Sequence, residues 1–120
     1  MRVAVSDGAG SGAVYIHQTN AWGTTVTNLH AYRNNFQNCS FAFNIGYATT
    51  QNVFATIEKN YFGNNVDFGV SNVTEVNEIF AQNNWWGDSS GPTATGNPDG
   101  TGAKALNATY TPWAKSKWIE

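Results

Sequence analysis

Charge is scarce in this 120-residue chain. Six Lys or Arg and eight Asp or Glu make up 12% of it, about half the usual quarter. The net charge of -2 leaves no basic footprint for nucleic acid and no acidic block of a solvating tail. The single cysteine, Cys39, excludes an internal disulfide framework and a cysteine-based zinc site. No run of about 20 apolar residues is present, so no membrane-spanning helix is expected. Leucine occurs only at Leu29 and Leu106, which excludes a helical bundle. Met1–Val5 carries no apolar run behind a basic start, so no secretory signal is expected in this chain.

Asparagine, glycine and rings are abundant: 16 Asn, 12 Gly and 14% aromatics. They fall into a repeat, the first thing to look for in such a chain. Residues 29–38, 55–64 and 79–88 share the pattern apolar, x, apolar, x, x, Asn, x, aromatic, x, Asn or Asp. The matching asparagines are Asn34, Asn60 and Asn84, 26 and then 24 apart. One more step back reaches Gly8 and aligns Val3 and Val5 with Leu29 and Ala31, a degenerate fourth copy.

A second strand recurs between the copies, at residues 13–16, 40–45 and 66–70. Its alternation has the period of a half-buried strand. Val14/Ile16 and Val66/Phe68/Val70 are expected inward. Phe41, Phe43 and Ile45 fit that face only with one residue inserted. A period near 25 with short strands and no helix signal predicts an all-β coiled parallel sheet, identical positions stacking about 4.8 Å apart. Asn34, Asn60 and Asn84 then form a structural ladder at left-handed corners, their amides both donating and accepting. Phe36, Phe62 and Trp86 form a core stack beside it. Arg33 and Lys59 share one column, with splayed, solvated side chains.

The stretch Asn84-Trp85-Trp86-Gly87-Asp88-Ser89-Ser90-Gly91-Pro92, followed by Gly96-Asn97-Pro98-Asp99-Gly100 and Tyr110-Thr111-Pro112-Trp113, is more specific. It resembles the C-terminal end of right-handed parallel β-helix proteins. These form the pectate-lyase-like superfamily, which includes NosD-type and carbohydrate-binding and sugar-hydrolase repeats. The resemblance implies a solenoid of about 3–4 coils, open at its N-terminal end. Its C-terminal cap is built from Trp85, Gly91, Pro92, Pro112 and Trp113. One domain is expected over residues 1–113, with coils to 88, the cap from 89 to 113, and a tail from 114 to 120. The resemblance also implies a secreted or cell-surface setting. An open first coil invites pairing with another chain, so a homo-oligomer, most simply a dimer, is expected through the N-terminal coil.

The acids are dispersed. Lyases of the superfamily use acids that bind Ca²⁺ with an Arg or Lys base, and its hydrolases an aspartate cluster. Here only Asp67 lies on the strand column that resemblance implies for such a site. Glycoside chemistry needs two carboxyls about 5–9 Å apart; Glu58 and Glu78 are the pair expected to approach diagonally. Asp88 and Asp99, in turn sequences, offer oxygen ligands of the kind Ca²⁺ takes; otherwise no cofactor is implied. His17 and His30 face outward on different faces. Outward Tyr15, Tyr32 and Tyr61 can stack on sugar rings, as can Trp22, Tyr47 and Phe80. Three functions follow as expectations. The first is a non-catalytic module, structural or polysaccharide-binding. The second is a polysaccharide lyase or hydrolase active only as an assembly. The third is an interaction stub that docks through its open coil.

Overall fold

The computed structural model describes residues 13–16, 27–45, 53–73 and 77–116. The strands are β1 (Val14–Ile16), β2 (Thr27–Tyr32), β3 (Asn35–Phe36), β4 (Cys39–Ile45), β5 (Val53–Glu58), β6 (Tyr61–Phe62), β7 (Val66–Asn72), β8 (Glu78–Phe80), β9 (Pro92–Thr93) and β10 (Gly102–Leu106). No helix occurs among the described residues. A five-stranded sheet has the order β1-β4-β7-β10-β9, a three-stranded sheet β2-β5-β8, and a two-stranded sheet β3-β6. Every strand pairing within these sheets is parallel. The chain visits the three-, two- and five-stranded sheets in turn as β2, β3, β4, and again as β5, β6, β7.

Alternation explains the elements. In β5, Val53, Ala55 and Ile57 are buried while Phe54 is exposed, as period-two packing requires. Leu29 pairs with Ala55 and Ala55 with Ile79, so the repeat seen in the sequence is the sheet register. The core lies between the sheets. Phe36, Phe62 and Trp86 are fully buried there, with ring centroids 5.8 and 4.8 Å apart. Such ring pairs add about 0.5–1.5 kcal/mol each beyond their burial.

The asparagine column is continuous. Asn60 Oδ1 accepts from the Asn34 backbone N–H at 2.9 Å and its Nδ2 at 3.0 Å. Asn84 Oδ1 does the same for Asn60, at 2.9 and 3.2 Å. Their own amides reach back to the Ala31 and Ile57 carbonyls. The left-handed residue at each corner, however, is the one before: Arg33, Lys59 and Asn83 have φ of 57°, 55° and 61°. The reason is division of labour. The preceding residue turns the chain, at about 1–2 kcal/mol for a non-glycine, which leaves the asparagine free to bond inward.

A second corner of the same kind was not anticipated. Asn77 Oδ1 accepts from Val53 N–H at 3.0 Å, and Asn72 and Asn107 exchange amide-to-carbonyl bonds. The register of β4 is also fixed. Phe36 pairs with Phe62, but Cys39 pairs with Val66, so one extra residue enters the turn before β7. Asn38 and Asn65, both left-handed, close these turns, and Asn65 donates to Asn38 Oδ1 at 2.7 Å. Phe68, expected inward, is half-buried and stacks on Phe41 at 5.0 Å and 7°. Gly69 is buried in its place, because a Cβ there would come within 2.6 Å of Trp86 Cζ3.

After β8 the chain doubles back. β10 pairs with β7 and β9, then Thr109 bridges Phe80. Ala114 N–H donates to Asn84 O at 2.9 Å, as Tyr61 does to Asn34 and Trp85 to Asn60. Trp113 therefore stands where the next ladder asparagine would be. Its Nε1 donates to Ser89 O at 3.0 Å, Lys115 Nζ lies 4.0 Å from its ring centroid, and Tyr110 packs 6.1 Å away. Gly91, at φ 85°, has no room for a Cβ against this indole.

Candidate functional site

The outer surface of the five-stranded sheet carries the densest set of functional side chains. Register places Phe41 beside Phe68, Phe68 beside Lys104, and Lys104 beside Thr93. The irregularity between Lys104 and Ala105, where β10 lags β7 by one residue, sets the lysine over the aromatic pair. Lys104 Nζ lies 5.1 Å from the Phe68 ring centroid and 3.2 Å from Asp67 Oδ1. Both charged side chains are about half exposed, at 47% and 58%, so their pairing contributes at most about 1 kcal/mol. It positions the cation rather than holding the fold.

A cleft of about 340 Å³ opens beside this row, lined by Asp67, Lys104, Thr93, Thr101 and the edge of Trp86 among others. Thr93 Oγ1 donates to the Gly102 carbonyl at 2.8 Å. Next to it, Asp88 Oδ2 accepts from Ser90 N–H at 2.9 Å and Ser90 Oγ at 2.6 Å. Ser90 Oγ lies 3.1 Å from Thr101 Oγ1. The serine bonds hold the Asp88 carboxyl below its ordinary pKa, since both favour the charged form.

Asp67 is the one carboxylate lining this cleft. Glu58 and Glu78 are not diagonal neighbours. Glu78 pairs with Phe54, and Thr56 with Phe80, so Glu58 lies four residues further along β5, about 13 Å. The spacing from Asn60 to Asn84 likewise aligns Glu58 with Gln82. Asp88 is tied into the turn with Ser90, and Asp99 lies in the turn before Gly100. Among the described residues no group of three or more His, Cys, Asp or Glu is placed to hold a metal ion.

Tyr32 and Tyr61 lie on different sheets. Tyr32 is exposed at the end of β2, with Arg33 Cζ and Lys59 Nζ 5.1 and 5.6 Å from its centroid. The Arg33–Lys59 column thus converges on a ring instead of splaying. Tyr61 is half-buried in the two-stranded sheet, beside Asn35 and Trp85. Tyr15 belongs to β1 and pairs with Asn44, but its side chain lies outside the described residues, as do His17, Trp22, Tyr47, the projected strand at Val3 and Val5, and residues 117–120. Lys104 and Phe68 are the site residues that sequence reasoning missed. Residues 102–106 carry little strand propensity, and only the aromatic at 68 beside an acid at 67 offered a signal. Cys39 is buried, which pushes its thiol pKa up and leaves it unreactive.

The fold and site define an all-β protein of parallel sheets, with buried asparagine hydrogen bonds and a charged aromatic row on one face. No helix among the described residues is long and apolar enough to cross a membrane. No family model, no curated protein and no solved structure matches the chain.

Proposed function

We propose that this chain is a non-catalytic, polysaccharide-binding module built as a right-handed parallel β-helix of the pectate-lyase-like kind. The solenoid reading rests on strands that return in parallel to the same three sheets, 24–27 residues apart along β2-β5-β8, β3-β6 and β4-β7, 29 from β1 to β4 and 35–36 from β7 to β10. In this proposal β1 to β8 belong to the coils and residues 89–113 to the cap.

The observation that carries the binding reading is the row Phe41, Phe68, Lys104 beside the cleft. Stacked rings offer an apolar platform to the C–H face of a sugar. Lys104 offers a cation to a uronate carboxylate or a hydroxyl, and Asp67, Thr93 and Thr101 accept or donate to hydroxyls. A single carboxylate, already paired with Lys104, supports binding over hydrolysis, which takes two. Calorimetric titration with oligogalacturonate tests this. The expected result is measurable binding that drops at least tenfold in Lys104→Ala, with no rise in absorbance at 235 nm on pectate. Equal heats from wild type and Lys104→Ala would defeat the assignment.

An open first coil favours a dimer formed through it. Of that coil only the β1 region lies within the described residues, and light scattering at high concentration tests the dimer.

A further inference from the structure

A second pair of rings lies around the corner from the Phe41–Phe68–Lys104 row. Asn35 pairs with Tyr61, and Tyr61 bridges Trp85. These three form one column on the outer side of the two-stranded sheet, while Phe36, Phe62 and Trp86 point into the core. Ala114 continues the column, since its N–H meets the Asn84 carbonyl as that of Trp85 meets Asn60. Tyr61 and Trp85 are both half-buried, on rungs about 4.8 Å apart. The next outward position after each ring is a glycine. A side chain at Gly63 would collide with the Tyr61 ring, so that ring lies across Gly63. Gly63 and Gly87 both line the cleft that holds Asp67, Lys104, Thr93 and Thr101. The floor between the ring pair and the cleft is therefore bare backbone. Ala103 N–H donates to Trp86 O at 2.6 Å. Trp85 and Lys104 are each one residue from that bond, which keeps their Cα atoms no more than about 14 Å apart. Asp88, the carboxylate that follows Gly87, is drawn into its bonds with Ser90.

We propose that Tyr61 and Trp85 form a second sugar subsite, continuous with the cleft. The inference rests on the polysaccharide-binding reading above and specifies its ligand: an extended uronate chain held at two places, not a single sugar residue. One carboxylate sits at Lys104, and sugars further along the chain lie over Gly63 and Gly87 to reach Trp85. The fold does not require rings in this column. Its other members are Asn35 and Ala114, whereas the inward column is aromatic at all three rungs. An indole at a wet surface presents an apolar face and a polar N–H together, and that pairing suits a sugar ring. The Trp85 N–H has no hydrogen-bond partner among the described residues. Once a chain is seated at Lys104, its second contact forms at high effective concentration, so affinity grows with chain length. Stacking on Trp85 is apolar. The gain from length therefore survives salt that screens the Lys104 contact.

Calorimetric titration of the full chain with digalacturonate and with hexagalacturonate, at low and high salt, tests the proposal. Wild type is expected to bind the longer chain at least thirtyfold more tightly at both salt concentrations. In Trp85→Ala that ratio falls below tenfold, the remainder being the larger number of registers a long chain offers. Trp85→Phe, which keeps a ring, retains a ratio above tenfold. Circular dichroism and the digalacturonate heats of the same variants show that the cleft is still folded. Lys104→Ala weakens both lengths. A Trp85→Ala ratio equal to that of wild type, a wild-type ratio below tenfold, or a ratio that collapses in high salt would overturn the subsite and leave the cleft in place. If neither length binds to wild type, the polysaccharide-binding reading fails and the subsite falls with it.

Discussion

Asn60 shows how one side chain serves two rungs. It is fully buried, accepts from Asn34, and donates to the Ala31 and Glu58 carbonyls and to Asn84 Oδ1. Truncation leaves a buried N–H and carbonyls with lost partners, each costing about 1–3 kcal/mol. Asn60→Ala is therefore expected to lose about 2–4 kcal/mol in urea unfolding, whereas Asn35→Ala, exposed beside the column, changes stability by less than about 0.5 kcal/mol. Equal losses at the two positions would count against the ladder. Asp88 gives a pH test. Its folded pKa is lowered by Ser90, so its contribution is present above the unfolded pKa and is lost as pH falls through the folded one. Ser90→Ala should raise the Asp88 pKa towards its ordinary value by NMR titration. It should destabilise at neutral pH, and the part due to ionisation should vanish on the acid side. The ladder asparagines were legible because they recur at 26 and 24 residues. Their left-handed neighbours were not, since Arg and Lys carry no signal for positive φ, and the Asn72–Asn77–Asn107 corner was hidden because its members do not repeat at that period.

At the scale of elements, β7 and the end segment fit together through absent side chains. Gly69 leaves the space that the Trp86 ring occupies. Gly69→Ala is expected to cost about 1–3 kcal/mol, as overpacking does, and to cost markedly less in a Trp86→Leu background. A double-mutant cycle by thermal melts measures that coupling; purely additive effects would contradict the contact. Trp113 packs beyond Asn84, where it contacts Gly91, Tyr110 and Lys115. Trp113→Ala is expected to destabilise by about 3 kcal/mol and to speed amide exchange at Asn83 and Ala114, whose bonds close that end. Unchanged exchange there would remove the cap role. The repeat alignment placed β2, β5 and β8 together through their alternating apolar residues. It did not place β10, because Gly102-Ala103-Lys104-Ala105-Leu106 alternates only between small and long side chains. For the same reason Lys104 was missed, and with it most of the candidate site; Asp67 alone was visible from the strand pattern.

Across the whole molecule, the scarcity of charge follows from the architecture. The core is built from rings, aliphatic side chains and asparagine amides rather than from paired charges. Asp67–Lys104 spans β7 and β10 on one face, while Glu78 and the Arg33–Lys59 pair mark opposite corners of another. The acids that are dispersed in the sequence do not gather in space among the described residues. Glu58 and Glu78 stand about 13 Å apart along the sheet, four residues out of register. Segments 24–26 residues apart stack in parallel register in β2, β5 and β8. Amide-to-Hα nuclear Overhauser contacts between β2, β5 and β8 test this stacking most directly. A series joining the Leu29, Ala55 and Ile79 levels is expected, with slowly exchanging side-chain amide protons on Asn60 and Asn84. Close Hα–Hα contacts marking antiparallel pairs between these strands, or fast exchange at both amides, would contradict it.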